Sequence, residues 1–378
     1  MPHSMPPGAA APRLLLVGLL PGLGGMHMPR HLARTGCDLV FAGIDTCMAS
    51  RSSHVRERLS WGAGSEALTV SAFIERCRPD WIVPIDELAT FRLQSLARRA
   101  SQPGASLLPP AMLALLLRSL GEPQGYALHG VRQKCHAIAR SAGIAVPEQV
   151  PIRSLEDMIG FAARSAYPFV LKREQSMGGT GVFIVADENA ARSLASRHKP
   201  GQEGTPWVAQ AHVPGTLGMH AVFADQGQVL AAVGAVQIRR RSQRPTAPSS
   251  VVRLCSHEGM AAAAAAFVAA SGASGFHGWD FQLDAHGEAV MIEHNPRPIS
   301  ITHLGGLIGS DLCAALAGLL GLPAGTAPVA GRMRDVALFP DEWRRDARSP
   351  LLNGPFHDAP WDDPALLAAT TATRGRFV

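Results

Sequence analysis

Short apolar strands alternate with helical segments over the first 110 residues, and this alternation restricts the fold more than any other feature of the sequence. Residues 14–17, 38–43 and 81–84 are strand-like, and each run is followed by a segment with a helical pattern. Strands that are separated by helices pair in parallel, so the order predicts a doubly wound parallel sheet. The pair Pro109 and Pro110 marks its predicted end.

The chain then changes to strands that are connected by tight turns. Residues 168–172 form a predicted strand, residues 176–182 a Gly-rich loop, and residues 183–186 the next strand. This strand–loop–strand order differs from the strand-to-helix loop of a Walker phosphate site. Farther along, the strands 279–283 and 289–293 are predicted to form a hairpin with a short turn.

Polar side chains with oxygen ligands lie on this hairpin. Glu293 and Asn295 are two residues apart on one strand and therefore point to the same side, and Asp280 lies on the other strand. Two carboxylates and an amide oxygen form a donor set that suits Mg²⁺. A solvated hairpin face with no ligand is the alternative that spacing alone leaves open.

The Gly-rich loop, with Lys172 on the strand before it, is a candidate phosphate site. Backbone N–H groups in such a loop can approach phosphate oxygens closely, and a lysine on the entering strand adds a point charge. The candidate residues of the loop are Ser176, Gly178, Gly179, Thr180 and Gly181. A tight β-turn beside an exposed lysine is the alternative.

Lysine is rare in this chain, which makes each one informative. Of 35 basic residues only Lys134, Lys172 and Lys199 are lysines, and the rest are arginines. Where arginine serves most needs, a remaining lysine reflects either neutral drift or a requirement for its compact ammonium group.

In their order along the chain, these stretches resemble the ATP-grasp superfamily of ADP-forming carboxylate–amine ligases. The motifs that carry the resemblance are Lys134, Lys172 with its Gly-rich loop, the stretch 210–215, Asp280, and the run 293–297 (Glu-His-Asn-Pro-Arg). The resemblance implies an α/β fold in which a Rossmann-like domain precedes a two-subdomain ATP-grasp module. The implied divisions are a tail at 1–12, the Rossmann-like domain at 13–110, a lid subdomain with linking helices at 111–205, a C-terminal subdomain with the metal site at 206–322, and an extension at 323–378.

The resemblance also implies a role for individual residues. Lys134 and Lys172 take the places of the two nucleotide-binding lysines, and the magnesium ligands are Asp280, Glu293 and Asn295. The linker whose backbone reads adenine corresponds to Gln210, Ala211, His212 and Val213. The chain departs from the family pattern at three positions, which are Ala211 in place of a glutamate, Leu217 in place of the ribose-binding acid, and Gly278 in place of an arginine.

The implied activity is ATP-dependent formation of an amide or peptide bond, with an acyl phosphate intermediate and release of ADP and phosphate. The cofactors are ATP and Mg²⁺, as two ions with Mn²⁺ as the alternative, and the partners are a small-molecule carboxylate and an amine. Arg297 is the first candidate for stabilising the acyl oxyanion, and Arg239 and Arg253 are the other candidates. His303 is a candidate for facing the acceptor, with a helix-start or packing role as the alternative.

Three other functions are considered. A nucleotide-binding protein without ligase activity has less need of a complete set of metal ligands. A kinase or a thiol ligase can use the same fold. An NAD-dependent oxidoreductase is suggested by Gly22, Gly24 and Gly25 after the first strand with Asp45 beyond them, but the third glycine of that fingerprint is replaced by His27.

Composition limits the partners and the location. A net charge of +5 over 378 residues is too diffuse to indicate nucleic-acid binding, and the apolar stretch 14–23 is too short and too interrupted for a membrane span. The six cysteines are scattered without a C-x-x-C pair, as is usual in a reducing compartment. We therefore expect a cytoplasmic protein that binds neither nucleic acid nor membrane, and a homodimer is left open.

Overall fold

The computed structural model describes residues 10–128, 132–174, 181–201, 206–323 and 333–373, and over these ranges the strands form three sheets. The mixed α/β class predicted from the sequence is confirmed. No single helix in the described ranges is long and apolar enough to cross a membrane, although one bent helix pair, Thr302–Ile308 with Leu312–Leu319, meets the criteria of length and composition.

The first sheet is parallel, as the alternating pattern predicted, and its described strands have the order β3-β2-β1-β4. These strands are β1 (Arg13–Gly18), β2 (Asp38–Gly43), β3 (Glu57–Ser60) and β4 (Trp81–Pro84). The accompanying helices are α1 (Met28–Arg34), α2 (Glu66–Cys77), α3 (Glu87–Ala100) and α4 (Pro110–Leu120). Leu14 and Leu16 pack into one core and Leu15 and Val17 into another, because both faces of the sheet are covered.

The helix α4 packs with the first sheet, although the predicted division at residue 110 falls at its start. Leu116 and Leu120 of α4 share a core with Val17 of β1, and the Ser119 hydroxyl accepts a hydrogen bond from the Ile82 backbone N–H in β4 (3.0 Å). The apolar face of α4 is therefore covered by the sheet that precedes it in the chain.

The second sheet is small and antiparallel, with the order β5-β8-β6-β7 among the described strands. Its strands are β5 (Gln149–Ile152), β6 (Phe169–Arg173), β7 (Val182–Val185) and β8 (Trp207–Ala211). The helix α5 (Arg132–Ser141) precedes it, and α6 (Leu155–Ser165) and α7 (Glu188–His198) pack on one face around Phe161 and Leu194. The predicted division at residue 205 separates β8 from the rest of this sheet, although β8 is hydrogen-bonded to β5 and β6.

The third sheet is antiparallel and central, with the order β13-β12-β9-β10-β11-β14 among the described strands. Its strands are β9 (Thr216–Asp225), β10 (Gln228–Arg240), β11 (Ser249–Cys255), β12 (Gly275–Leu283), β13 (Ala289–Asn295) and β14 (Arg334–Ala337). The helices α8 (Glu258–Ser271) and α9 (Leu312–Leu319) accompany it. The predicted hairpin is the pair β12 and β13, at one edge of this sheet.

One apolar core joins the first sheet to the central sheet. Leu16 and Trp81 of the first sheet belong to the same buried cluster as Phe223, Val252 and Leu316 of the central sheet and its helix α9. The first sheet and the central sheet are therefore packed together through this core.

The C-terminal part of the chain returns to the first sheet. It contains β14, α10 (Asp341–Arg345) and α11 (Pro364–Ala372). Asp363 accepts hydrogen bonds from the hydroxyls of Ser52 and Ser53 and from the Ser53 backbone N–H, while Arg30 of α1 pairs with Asp362. This segment therefore links β11 of the central sheet to the first sheet.

Candidate functional site

The two carboxylates predicted for a metal site face each other across the hairpin. Asp280 of β12 is the direct cross-strand partner of Glu293 of β13, and Gly278 is the partner of Asn295. Directly opposed residues carry Cβ atoms about 5 Å apart, so the two carboxyl groups share one face of the sheet. Asn295 is nearly buried, with 9% of its surface exposed. The hairpin thus presents the predicted oxygen donors together.

A one-residue shift in the hairpin register directs a backbone carbonyl toward the second sheet. Asp280 pairs with Glu293 but Phe281 pairs with Met291, which leaves Ile292 as the additional residue of β13. An additional residue interrupts the ladder and bends the strand locally. The Ile292 carbonyl accepts a hydrogen bond from the Lys172 ammonium group (3.2 Å).

Lys172 therefore reaches from the small sheet to the metal-ligand hairpin. It lies on β6, and only 4% of its surface is exposed. Lys172 is therefore buried, and not exposed as the alternative of a tight turn supposed, while the turn itself lies outside the described residues. A buried ammonium group needs oxygen atoms as partners, and the Ile292 carbonyl, which lies between the two sheets, is one of them.

Gln210, the first residue of the predicted adenine linker, makes contacts on the same hairpin. Its side-chain amide nitrogen lies 3.2 Å from the Gln149 oxygen, 3.4 Å from the Ile292 carbonyl and 3.5 Å from a ring nitrogen of His136. Ala211 ends β8, His212 is exposed and Val213 is half-buried at the start of the connection to β9. The stretch 210–213 is therefore the connection between the small sheet and the central sheet.

The predicted phosphate loop is described only at its ends. Ser176, Gly178, Gly179 and Thr180 lie outside the described residues. Gly181 is buried, and its carbonyl accepts a hydrogen bond from the Arg173 backbone N–H (2.8 Å), which joins the end of β6 to the start of β7. Lys134 lies on α5 and is exposed.

Arg297 lies at the same face and is held by an acidic residue from the first sheet. Its guanidinium donates to the Glu87 carboxylate, to the Asn295 side-chain oxygen (3.2 Å) and to the Pro298 carbonyl (2.9 Å). Burial alone lowers the pKa of Arg297, but the carboxylates of Glu87, Glu293 and Asp280 outweigh it and raise the pKa above its ordinary value. Arg297 is therefore a fixed cation beside the predicted metal ligands.

The position of Glu87 follows from the way α3 begins. Asp86 is the N-cap of α3 and accepts from the Ala89 backbone N–H (2.8 Å). Its other oxygen accepts from the backbone N–H groups of Leu19 (2.6 Å) and Leu20 (3.0 Å) in the loop after β1. A short acidic side chain at an N-cap satisfies helix amides, and here it also holds that loop. These two loop amides therefore bind Asp86, whereas a dinucleotide fold offers the amides of this loop to a pyrophosphate.

Comparison with known proteins supports the architecture. No protein-family model and no curated protein matches the sequence. Among solved structures, N5-carboxyaminoimidazole synthase from Aspergillus clavatus, in complex with ADP and 5-aminoimidazole ribonucleotide, has a TM-score of 0.62 at 16% identity, covering 85% of this chain and 80% of that one. The L-amino acid ligase from Bacillus licheniformis has a TM-score of 0.59 at 15% identity, covering 88% and 81%.

A third similar structure is the biotin carboxylase domain of the Hydrogenobacter thermophilus 2-oxoglutarate carboxylase in complex with MgADP. Its TM-score is 0.56 at 16% identity, and the match covers 85% of this chain and 71% of that domain. All three are ATP-grasp proteins. The fold of this chain is the ATP-grasp fold. In ATP-grasp terms, the first sheet is the Rossmann-like domain, and the small and central sheets form the two halves of the module.

Arg239 is not brought to the metal-ligand face of the ATP-grasp module. It lies near the end of β10, and its guanidinium pairs with Glu342 of α10 (3.1 Å). Burial alone raises the pKa of Glu342, but hydrogen bonds from Arg345 and Ser349 outweigh it and lower the pKa to about 2. Arg239 thus takes part in an ionic contact between β10 and α10.

His303 is also directed away from the hairpin. It is buried in a 3₁₀ helix (Thr302–Ile308), where its Nε2 lies 3.2 Å from the Asp358 carboxylate and its ring stacks on His27. Burial, together with the charges of Arg30 and Arg34, lowers the pKa of His303 to about 3. Burial therefore favours the neutral ring, and its contacts are with Asp358 and His27 instead of the hairpin.

Glu87 lies at this candidate site although it was not among the predicted site residues. A signal was present, because Glu87 lies three residues after the predicted strand 81–84, at the end of a parallel sheet where ligand-binding residues gather. Its partner Arg297 is 210 residues away in the chain, and only folding brings the two together.

Proposed function

We propose that this chain is an ATP-dependent, ADP-forming carbon–nitrogen ligase, which activates a substrate carboxylate as an acyl phosphate and joins it to an amine. The observation that carries the proposal is the cross-strand pair of Asp280 and Glu293, on the hairpin that Lys172 contacts from the other half of the ATP-grasp module. Two carboxylates for a divalent cation and an ammonium group for phosphates are what a nucleoside triphosphate requires.

Magnesium fits the donor set at this face. Asp280, Glu293 and Asn295 offer only oxygen atoms, which is the preference of Mg²⁺, and these three residues would hold it. When bound, the ion neutralises charge on the phosphate oxygens that approach the carboxylate. Two ions are proposed, and Mn²⁺ is the alternative ion.

The nucleotide is proposed to lie between the linker and the metal ligands. Gln210, which begins the linker, contacts the Ile292 carbonyl next to Glu293, so the linker starts beside the hairpin that carries the predicted metal ligands. Two further sets of contacts complete the proposed site. The backbone of residues 210–213 contacts adenine. The phosphates are contacted by Lys134, Lys172, Ser176, Gly178, Gly179, Thr180 and Gly181.

The reaction proceeds in two displacements. A carboxylate oxygen of the substrate attacks the γ-phosphorus, the bond from that phosphorus to the bridging oxygen breaks, and ADP leaves. The amine nitrogen then attacks the acyl carbon and loses a proton, and inorganic phosphate leaves. Lys172 holds the phosphates in line, and Arg297, fixed by Glu87, donates to the acyl oxygen as negative charge develops there.

Amino acids are the first substrates to test, both as carboxylate and as amine. The support is the similarity over 88% of this chain to a structure described as an L-amino acid ligase. Small molecules are the proposed partners, and the cytoplasmic location and the homodimer remain predictions from the sequence.

The test is a pairwise screen of amino acids and small carboxylates for ADP and phosphate release, with mass analysis of the products. We expect release that requires both a carboxylate and an amine. Glu293→Gln should reduce turnover by at least 100-fold, whereas Glu288→Gln, an exposed residue in the turn of the same hairpin, should leave it unchanged.

Other results of the screen distinguish the other functions. Tight ATP binding with no turnover across the panel would indicate a nucleotide-binding protein. Turnover that requires a hydroxyl or a thiol in place of the amine would indicate a kinase or a thiol ligase. Full activity of Glu293→Gln would disprove the metal assignment.

A further inference from the structure

Three buried side chains with metal-binding atoms meet outside the nucleotide site. His27 precedes α1 in the Rossmann-like domain, His303 lies in the 3₁₀ helix after the hairpin, and Asp358 lies between α10 and α11. Their exposed fractions are 7%, 6% and 3%. These residues, which we call the His27–His303–Asp358 cluster, come from three distant parts of the chain.

The distances within the cluster match those between the ligands of a tetrahedral ion. The Asp358 oxygen Oδ2 lies 3.2 Å from His303 Nε2 and 3.4 Å from His27 Nε2. In tetrahedral zinc sites the metal–nitrogen and metal–oxygen lengths of about 2.0–2.2 Å imply edges of about 3.3–3.5 Å between ligand atoms. All three ligand atoms lie within 4.8 Å of one another. A small movement of the two imidazole rings toward each other therefore brings the three atoms to the spacing of a tetrahedral site.

The neighbouring polar groups bind other atoms of Asp358, so its oxygen Oδ2 faces the imidazoles of His27 and His303. Asp358 Oδ1 accepts from the Phe339 backbone N–H. The guanidinium of Arg30 pairs with Asp362 and donates to the Asp358 backbone carbonyl (2.9 Å), not to the carboxylate. The oxygen Oδ2 is therefore the atom that points between His27 and His303.

A further nitrogen donor lies beside the cluster. The ring of His31, one turn along α1, has its centroid 4.9 Å from that of His303. Its Nε2 is buried and has no hydrogen-bond partner among the described residues. A buried ring nitrogen without a partner is uncommon, and an ion beside it is one way of satisfying it.

We propose that the His27–His303–Asp358 cluster binds a zinc ion that joins the Rossmann-like domain, the metal-ligand half of the module and the C-terminal segment. Two imidazoles and one carboxylate suit a borderline ion such as zinc, whereas the oxygen donors of the hairpin suit magnesium. Because all three residues are almost completely buried, the ion has a structural role.

Binding fixes the protonation of both rings. It places the imidazole proton of His27 and of His303 on Nδ1. The ion also replaces the contact of His27 Nε2 with the Phe339 carbonyl, which lies 3.1 Å away. This site does not depend on the proposed ligase activity.

The experiment measures zinc and cobalt binding to the full chain after chelator treatment, in excess magnesium so that the hairpin carboxylates are occupied. We expect one zinc ion per chain, a rise in Tm with zinc, and with Co²⁺ a visible absorption spectrum of the tetrahedral type. His303→Ala and Asp358→Asn should lose this binding, and His286→Ala, an exposed histidine in the hairpin turn, should retain it.

Asp358→Asn keeps the shape of the side chain, so it remains informative if His303→Ala does not fold. Wild-type protein that binds no more zinc than Asp358→Asn would overturn the proposal, as would an octahedral cobalt spectrum. A rise in Tm of equal size in the wild type and in Asp358→Asn would also overturn it.

Discussion

At the scale of single residues, Lys172 shows how a rare residue type can indicate a site. The chain has three lysines, and Lys172 is buried at the junction of the two halves of the ATP-grasp module. A buried ammonium group is unfavourable unless oxygen atoms surround it. Lys134 and Lys199 are exposed, so burial separates Lys172 from the other two lysines.

We predict that Lys172→Met weakens ATP binding while the protein still folds. Methionine fills the space of the lysine stem but removes a charge-assisted contact to phosphate, which is worth about 1.5–3 kcal/mol. The KM for ATP should therefore rise about 10- to 100-fold.

The measurement is steady-state kinetics of ADP release at varied ATP concentration. Lys199→Asn is the control, because Lys199 is exposed and has a positive φ of 40°, which asparagine tolerates. An unchanged KM and turnover in Lys172→Met would remove Lys172 from the phosphate site.

At the scale of secondary-structure elements, the site depends on a strand pair and the start of a helix. The register of β12 and β13 opposes Asp280 to Glu293, and the additional residue Ile292 directs its carbonyl to Lys172. The start of α3 supplies Glu87, which holds Arg297 against the same face. The groups of the site come from β12, β13 and α3, and none of these elements forms the site alone.

We predict that Arg297→Ala lowers kcat by about 100- to 1,000-fold, as the loss of an oxyanion donor does in other enzymes. The KM for ATP should change much less, because the guanidinium acts on the acyl oxygen. Glu87→Gln should have a smaller effect, since it loosens Arg297 without removing it.

A double-mutant cycle checks this arrangement. If Glu87 acts through Arg297, then the double variant with Glu87→Gln and Arg297→Ala should have almost the same kcat as Arg297→Ala alone. Fully additive effects on kcat would show that Glu87 acts independently, and an undiminished kcat in Arg297→Ala would exclude it as the oxyanion donor.

At the scale of the whole molecule, two connections among the described residues, besides the ion pair of Glu87 and Arg297, hold the Rossmann-like domain to the module. One is the apolar core that contains Leu16, Trp81 and Phe223. The other is the C-terminal segment, in which the buried Asp363 caps α11 and binds Ser52 and Ser53. Glu87 and Arg297 come from the two connected parts, so these connections maintain the site.

We predict that Asp363→Ala lowers the free energy of unfolding by about 2–4 kcal/mol. The substitution removes a helix cap and leaves buried hydroxyl and amide groups without an acceptor. Urea unfolding measures the change. Asp187→Ala is the matched control, because Asp187 is exposed and caps α7, and the loss of this cap should lower the free energy of unfolding by about 1 kcal/mol. Equal losses for both variants would show that the contacts to Ser52 and Ser53 contribute nothing.

Local patterns were sufficient to predict several of the elements and to assign the candidate metal ligands to one hairpin. The alternation of residues 14–17, 38–43 and 81–84 with helices predicted the parallel sheet, and the turn between β12 and β13 predicted the hairpin. The side-chain period of two along a strand is enough to assign Glu293 and Asn295 to one face. These features depend on residues that are close together in the chain, so they can be predicted from the sequence.

Contacts between distant residues were decided by the tertiary structure alone. The pairing of Glu87 with Arg297, the contact of Lys172 with the Ile292 carbonyl, and the burial of His303 against Asp358 each join residues more than 50 positions apart. The same packing directs Arg239 to Glu342 instead of the hairpin. Sequence determined which chemical groups this protein has and on which strands they lie. Packing of the three sheets decided which groups meet, because no local pattern encodes the partner of a side chain across a core.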